Sequence, residues 1–322
     1  MKLVVTGGAG YVGGTVAVQL LQAGHEVTVI DSLVHAERKY VPEGATFVQM
    51  DLADRGGVER VLCESGAEGV LHFAALIEAG ESMQKPELYF RNNTASTLSL
   101  LEAMRAAGVN KLVFSSTAAV YGEPAFVPIP ENAALQPTNA YGESKLLVEQ
   151  ILLWLHRLHG LRYASLRYFN VAGAIPGRGE AHEPESHIIP LILDVALGRR
   201  DKIFIYGEDY PTPDGSCIRD YIHVADLADA HLLAFAALAE RDRLILNLGN
   251  GSGFSVKEVI EAARRVTGHP IPAEVKPRRP GDPARLVAAS EEAKQVLGWT
   301  PKRAALDVIL RDAWAWHQQR YQ

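Results

Sequence analysis

The sequence predicts an α/β protein, a Rossmann-type doubly wound parallel sheet with a smaller C-terminal α/β substrate domain. Three observations predict it. Short apolar, β-branched runs alternate with helical patterns through the first half of the chain, a glycine-rich turn joins the first run to the first helix, and an aspartate closes the second run.

The first run, Lys2-Leu-Val-Val-Thr6, opens into Gly7-Gly-Ala-Gly10-Tyr11-Val12-Gly13 and then into the helical Thr15-Val-Ala-Val-Gln-Leu-Leu. This strand, turn, helix order is the one a dinucleotide site requires. Gly7 permits a tight turn, Gly10 lets the backbone approach a pyrophosphate, Gly13 lets the helix pack on the strand, and the helix N-terminus faces the phosphates. The second run, Glu26-Val-Thr-Val-Ile30, ends in Asp31, about 20 residues past the glycines, where a ribose-binding carboxylate belongs. An acid there selects NAD over NADP, with Arg38 the nearby feature that points the other way. Further strands are predicted over 46–50, 69–73, 111–115 and 163–167, and the clearest helices over 94–107 and 144–159.

A parallel sheet of this kind gathers its ligands at the carboxyl ends of the strands. Those ends carry Asp51 and Leu52, then Phe73, Ala74 and Ala75, then Thr117, then Phe169 and Asn170. After residue 172 the glycine and proline content rises, as in Gly173-Ala-Ile-Pro-Gly-Arg-Gly179 and Tyr210-Pro-Thr-Pro-Asp-Gly215, and the regular alternation fades. We expect an NAD-binding domain over 1–172 and a substrate domain over 173–322, some of whose segments are free to return to the first.

Composition excludes more than it selects. With 322 residues, 48% of them hydrophobic and 22% charged, the chain can bury a large core. Its formal net charge of −6, without a long basic cluster, argues against a nucleic-acid partner. The apolar start is broken at once by glycines and no run is long enough to span a bilayer, so a cytoplasmic protein without a membrane partner is expected. Cys63 and Cys217 are too few for a disulfide framework and lack metal-ligand spacing. His156 and His159, near the end of a predicted helix, suit its C-terminal dipole better than a metal, and no metal is expected.

The chemistry is concentrated between Thr117 and Lys145. A strand-end hydroxyl at Thr117 precedes Tyr141-Gly-Glu-Ser-Lys145, in which Tyr141 and Lys145 stand four apart and share a helix face. A free phenol ionises near pH 10, too high for a base at neutral pH, and a neighbouring ammonium lowers that value. Tyr141 therefore reads as an acid–base catalyst, Lys145 as its activator and Thr117 as a hydrogen-bonding partner at the same oxygen.

With these residues in place, the chain resembles the extended short-chain dehydrogenase/reductase family, in its UDP-hexose 4-epimerase branch. The resemblance runs from the glycine turn through His72-Phe-Ala-Ala75, Gly80-Glu-Ser82, Asn92-Asn93, Phe114-Ser-Ser-Thr-Ala-Ala-Val-Tyr-Gly122, Tyr141-Gly-Glu-Ser-Lys145 and Leu166-Arg-Tyr-Phe-Asn-Val-Ala-Gly173. It continues in Tyr206-Gly-Glu-Asp-Tyr-Pro-Thr-Pro-Asp-Gly215, Arg219-Asp-Tyr-Ile-His-Val224, Asp226-Leu-Ala-Asp229 and Arg278-Arg-Pro-Gly-Asp282. It implies an isomerase that keeps NAD bound and interconverts UDP-glucose and UDP-galactose through a 4-keto sugar. Tyr141 would exchange the proton of the C4 hydroxyl, Lys145 would also reach the nicotinamide ribose, and Thr117 would bond the same sugar oxygen.

The resemblance further implies Gly7, Gly10, Tyr11, Val12, Gly13, Asp31, Asp51, Leu52, Phe73, Ala74, Ala75, Asn92 and Phe169 at the cofactor. For the UDP-sugar it implies Asn170, Arg219 and Arg279 at the diphosphate, Tyr206 at the uracil, Asp282 at the ribose, and His187 in place of an amide. Leu286 takes the position that sets room around the sugar's 2-substituent, so N-acetylated sugars should turn over slowly. Ile77 replaces a lysine near the cofactor and removes one polar contact. Leucines of the 94–107 and Tyr141 helices are expected to form a two-helix homodimer seam. A 4,6-dehydratase would need an acid pair after Thr117, where Ala118-Ala119 stand. A pentose, uronate or N-acetylhexosamine preference stays open, and a non-catalytic dinucleotide sensor would have no use for Tyr141 and Lys145.

Overall fold

The computed structural model describes residues 1–279 and 282–322, so Pro280 and Gly281 of the 278–282 motif lie outside the described residues. Two compact units divide the chain: Met1–Gly122 with Ala134–Arg167 and Ala228–Leu246, and Glu123–Ala133 with Tyr168–Leu227 and Asn247–Gln322.

The first unit is built on β1 (Lys2–Thr6), β2 (Glu26–Asp31), β3 (Thr46–Gln49), β4 (Gly69–His72), β5 (Lys111–Thr117) and β6 (Arg162–Tyr168), with a further strand, Arg243–Leu248, beside β6. The sheet order, read from that further strand, is β6, β5, β4, β1, β2, β3. β1 pairs in parallel with both β2 and β4, so the order reverses at β1 and the crevice for a ligand opens above its carboxyl end. The strands are apolar without a break because both faces are covered. Val4, Val70, Leu112 and Phe114 are almost fully buried against Val58, Leu62, Leu100, Met104, Val148 and Leu152 of the flanking helices. Each such side chain contributes about 1.5–3 kcal/mol by leaving water.

Two helix starts matter for the site. The Tyr11–Gln22 helix begins at Gly10, directly after the glycine turn and with no side-chain cap. The Ala140–His159 helix begins at Asn139, whose side chain accepts the Gly142 amide at 2.8 Å, and ends at Gly160 in the left-handed conformation, φ 70°. Tyr141 therefore sits in the first turn of a helix that begins four residues before the predicted start at 144. At the other end His156 Nδ1 lies 2.9 Å from the Leu161 carbonyl, a capping contact. The 94–107 helix is observed as Ser96–Ala106, preceded by a wider π-helical stretch, Phe90–Ala95.

The second unit uses short strands. Ile203–Tyr206 pairs with Ala273–Lys276, Asn170–Ala172 with Tyr221–His223, and Ile218–Arg219 lies between Phe254–Ser255 and Arg285–Leu286. The Ile188–Ala196, Val256–Thr267 and Leu306–Tyr321 helices share one core that includes Ile192, Leu193, Val259, Ile260, Ile309 and Leu310. The buried Asp220 carboxylate accepts the amides of Asn250, Gly251 and Ala288 at 2.6, 3.0 and 3.0 Å, which pins three segments together beside Arg219.

Candidate active site

The glycine turn is a cradle that side chains would fill. Gly7 has φ 72°, and a Cβ there would lie 2.6 Å from the Ala74 amide nitrogen. At Gly13 a Cβ would meet the Gly7 carbonyl oxygen at 2.4 Å, so the helix seats directly on the turn. At Gly10 a Cβ would have only that oxygen within reach, at 3.3 Å, which leaves its outer face open. Asp31, at the end of β2, accepts the Ala9 amide at 3.0 Å and the Leu33 amide at 2.9 Å. Those two bonds hold the carboxylate against the turn and leave it capacity to accept from a ribose. A helix N-terminus at the glycine turn, a glycine with steric room at its outer face and a fixed carboxylate fit a dinucleotide.

Around the cradle, Phe73 continues β4 by donating its amide to Thr6 at 3.0 Å, and its ring lies 4.8 Å from that of His231. Ala74 backs Gly7. The amide of Asn92 donates to Asn93 Oδ1 at 3.0 Å. Asn93, buried, bonds both backbone groups of Leu76 and the Ser144 hydroxyl, so it ties the loop after β4 to the Tyr141 helix. Asp51 caps its own turn by accepting the Ala53 amide at 2.9 Å. Ile77 is 37% exposed.

The structure brings Thr117, Tyr141 and Lys145 together. Thr117 ends β5, one turn of 3₁₀ helix, Ala118–Tyr121, follows it, and its hydroxyl accepts the Ala119 amide at 3.1 Å. The same hydroxyl bonds the Tyr141 phenol and favours its ionised form, while burial and the Glu78 carboxylate push the phenol upward. Lys145, 3% exposed, donates to the Ser115 carbonyl at 2.9 Å and lies 4.9 Å from the Phe114 ring centre. Burial brings its ammonium down to about 7. The sequence reading made Lys145 the group that lowers Tyr141. Burial therefore favours the neutral form of both groups, while the hydrogen bond from Thr117 favours phenolate.

Behind this set stands a buried ion pair. Arg167 of β6 donates to Glu149 through Nε at 2.9 Å and Nη2 at 2.5 Å, and through Nη1 to the Tyr121 hydroxyl at 2.9 Å. Glu149 also accepts from the Ser116 hydroxyl at 2.5 Å. The sequence assigned no role to Ser115, Ser116, Arg167, Glu149 or Glu78, although the first three fall inside its strands and motifs. Two signals could have found the pair: a charged residue in the apolar Leu146-Leu-Val-Glu-Gln-Ile-Leu152 stretch, and another inside the β6 run.

The remaining predicted residues lie in the second unit. Arg219 donates to Asp282 at 2.6 Å and to the carbonyls of Ile218 and Pro283, both at 2.9 Å. Leu286 is the register partner of Arg219 across paired strands. The Arg279 guanidinium stacks 3.9 Å from the centre of the Tyr206 ring. Asn170 donates its amide to the Asp220 carbonyl at 2.9 Å. His187 Nδ1 lies 2.8 Å from Glu185 Oε1, which also accepts its backbone amide and so fixes the ring. Phe169, buried, adjoins Asn170. Among the described residues no group of three or more His, Cys, Asp and Glu could hold a metal ion.

Known proteins resemble the chain along nearly its whole length. The model of the NAD dependent epimerase/dehydratase family matches residues 3–249. A UDP-glucose 4-epimerase of Corynebacterium glutamicum is 56% identical over 315 residues, covering 98% of this chain and 95% of that one. Another, from Streptomyces lividans, is also 56% identical, over 98% of this chain and 96% of its own length. Among solved structures, a UDP-glucose 4-epimerase from Stenotrophomonas maltophila with bound NAD and formylated UDP-arabinopyranose is 41% identical. It superimposes with a TM-score of 0.97 over 100% of this chain and 99% of that one.

Proposed function

The chain belongs to the NAD dependent epimerase/dehydratase family, and from that membership we propose that it interconverts UDP-glucose and UDP-galactose by inverting C4 of the sugar through a 4-keto intermediate. The observation that carries the reading is the set formed by Thr117, Tyr141 and Lys145 at the end of β5 and the start of the Ala140–His159 helix. We propose that the glycine turn, Asp31, the strand-end residues Asp51, Leu52, Phe73, Ala74 and Ala75, with Asn92 and Phe169, hold NAD. Held there, NAD would supply reversible hydride acceptance at C4, so the sugar would be isomerised without net redox change.

The protein's own part is proton transfer and orientation. Tyr141 receives the proton of the C4 hydroxyl through its phenol oxygen and returns it to the same oxygen of the product. Thr117 donates to that phenol oxygen when it is negative, a charge-assisted bond worth more than a neutral one. Lys145 holds its place through Ser115 and supplies a positive charge beside Tyr141 whenever it is protonated. The UDP end is the anchor about which the keto sugar turns. For it we propose Arg219 and Arg279 with Asn170 at the diphosphate, Tyr206 at the uracil, Asp282 at the ribose, and His187 nearby.

A homodimer is the second part of the reading. Leu98 on the Ser96–Ala106 helix and Trp154 and Leu158 on the Ala140–His159 helix are 40, 58 and 67% exposed. Apolar side chains in that number on adjoining helices suit a second copy. Light scattering should give twice the chain mass, and a Trp154→Glu, Leu158→Glu variant should give the single-chain mass. Among the described residues no helix is long and apolar enough to cross a membrane, and we place the protein in the cytoplasm with its nucleotide-sugar substrate.

Incubation with UDP-galactose and no added NAD, followed by NMR of the anomeric protons, tests the function. Growth of the UDP-glucose signal supports epimerisation on a retained cofactor. Growth only after NAD is supplied keeps the reaction and shows weak retention, as Ile77 suggests. No conversion with or without NAD overturns the reading.

A further inference from the structure

Three consecutive residues at the end of β5 are each tied to the Ala140–His159 helix, and the ties fall one helical turn apart. Lys145 holds the Ser115 carbonyl at 2.9 Å, Glu149 holds the Ser116 hydroxyl at 2.5 Å, and Tyr141 shares a hydrogen bond with Thr117. Tyr141, Lys145 and Glu149 lie on one helix face by their spacing. The Tyr141 and Lys145 ties belong to the proposed chemistry. The tie through Glu149 does not, and it is the one with a rigid backing.

That backing is the Arg167 fork. Glu149 and Arg167 side chains are 6% and 3% exposed, and the pair is bidentate. A buried ion pair is a weak way to gain stability, since the two desolvation costs offset most of the attraction. What it supplies is direction: a guanidinium plane fixes both carboxylate oxygens. Arg167 also donates to Tyr121 at the far end of the 3₁₀ turn. One guanidinium thus fixes Ser116 through Glu149 and Tyr121 directly, the residues on either side of the Thr117–Val120 segment.

We propose that Glu149, backed by Arg167 and acting through Ser116, is a positioning residue that sets the Thr117 hydroxyl against the Tyr141 phenol. The proposal rests on the catalytic reading of Tyr141 and Thr117. Removing the link at Ser116 frees the strand end to shift while the ion pair stays intact, so Thr117 would donate less well to the phenolate.

Ser116→Ala is the probe, because Glu149→Ala would leave the buried Arg167 without its partner and unfold the chain for an unrelated reason. For Ser116→Ala we expect kcat with UDP-galactose to fall about tenfold with KM unchanged, the loss of one modest hydrogen bond at the reacting oxygen. The acid limb of the kcat profile should move up by about one pH unit. Ser116→Thr, which keeps the hydroxyl, should restore both. Independently of turnover, phenolate absorbance titrated against a Tyr141→Phe background should show the Tyr141 midpoint displaced upward in Ser116→Ala. An unmoved midpoint and pH limb in folded Ser116→Ala overturns the proposal, as does a loss that appears only in KM or melting temperature. Failure of the parent protein to epimerise would defeat the functional reading instead, and the phenolate titration would still decide the positioning role.

Discussion

Lys145 carries a quantitative test of how burial shapes the site. Its side chain is 3% exposed and burial brings its ammonium from 10.5 to about 7, whereas in an unfolded chain it stays near 10.4. Between those values the unfolded state holds the proton and the folded state does not, so stability rises with pH across the window. Below pH 7 both states are protonated and the full penalty of burying the ammonium applies. A gap of about 3.5 pH units at about 1.4 kcal/mol each makes that penalty about 5 kcal/mol. Lys145→Met keeps an unbranched chain, removes the charge and gives up the bond to the Ser115 carbonyl, worth about 1 kcal/mol. The cofactor-free variant should therefore be more stable than its parent by about 4 kcal/mol at pH 6, with the difference shrinking to about zero by pH 10. Urea titrations of both proteins across that range, compared only as differences, cancel the groups they share. A difference that does not change with pH would mean the lysine keeps its proton in the folded protein, and the burial argument would fail.

Thr117→Val removes the donor to the Tyr141 phenol and should lower kcat by about 10- to 100-fold, the range for a hydrogen bond to a charged group, while Thr117→Ser stays within a few-fold; equal rates for Val and Thr would sink the assignment. Gly13→Ala places a Cβ 2.4 Å from the Gly7 carbonyl oxygen, so the helix must leave the turn, and NAD released on denaturing the purified variant should fall to a trace. Leu286→Ser should raise turnover of UDP-N-acetylgalactosamine by about tenfold or more, the scale for relieving one steric contact, with the UDP-galactose rate little changed; an unaltered ratio of the two rates would remove Leu286 from the sugar pocket.

How much could be read in advance follows from burial. The six strands from β1 to β6 were placed to within two residues because a sheet covered on both faces needs unbroken apolar runs, such as Leu3-Val-Val5 and Leu112-Val-Phe114. The Arg243–Leu248 strand was not foreseen. It follows the region where alternation fades, and its place at the sheet edge depends on the chain returning from the second unit. The start of the Tyr141 helix was placed late because Tyr141-Gly-Glu-Ser carries no apolar period. Its signal is the Asn139 cap, which accepts an amide three residues on. Thr117, Tyr141 and Lys145, which the structure brings together, were legible as a local motif. Glu149, Ser116 and Arg167 meet only when strand and helix are packed, 33 and 18 residues apart in sequence, so their partnership has no local signature.

The balance between Tyr141 and Lys145 depends on burial, which spacing does not carry. Spacing alone puts an ammonium one turn from a phenol, and in water that would lower the phenol. Burial acts on both groups at once, raising Tyr141 and lowering Lys145, so each favours its neutral form in the folded chain. The proton affinity of the phenol is then tuned by the hydrogen bond it receives and by the charge near it. Thr117 favours phenolate, and the Glu78 carboxylate opposes it. Glu78 lies in the loop after β4, which Asn93 fastens to the Tyr141 helix through Leu76 and Ser144. Thr117 ends the strand that Ser116 and Glu149 fasten to the same helix. Two opposing influences on one oxygen are therefore held by separate buried ties to a single helix, and a small displacement of either tie changes the proton affinity of Tyr141 without touching the residue itself.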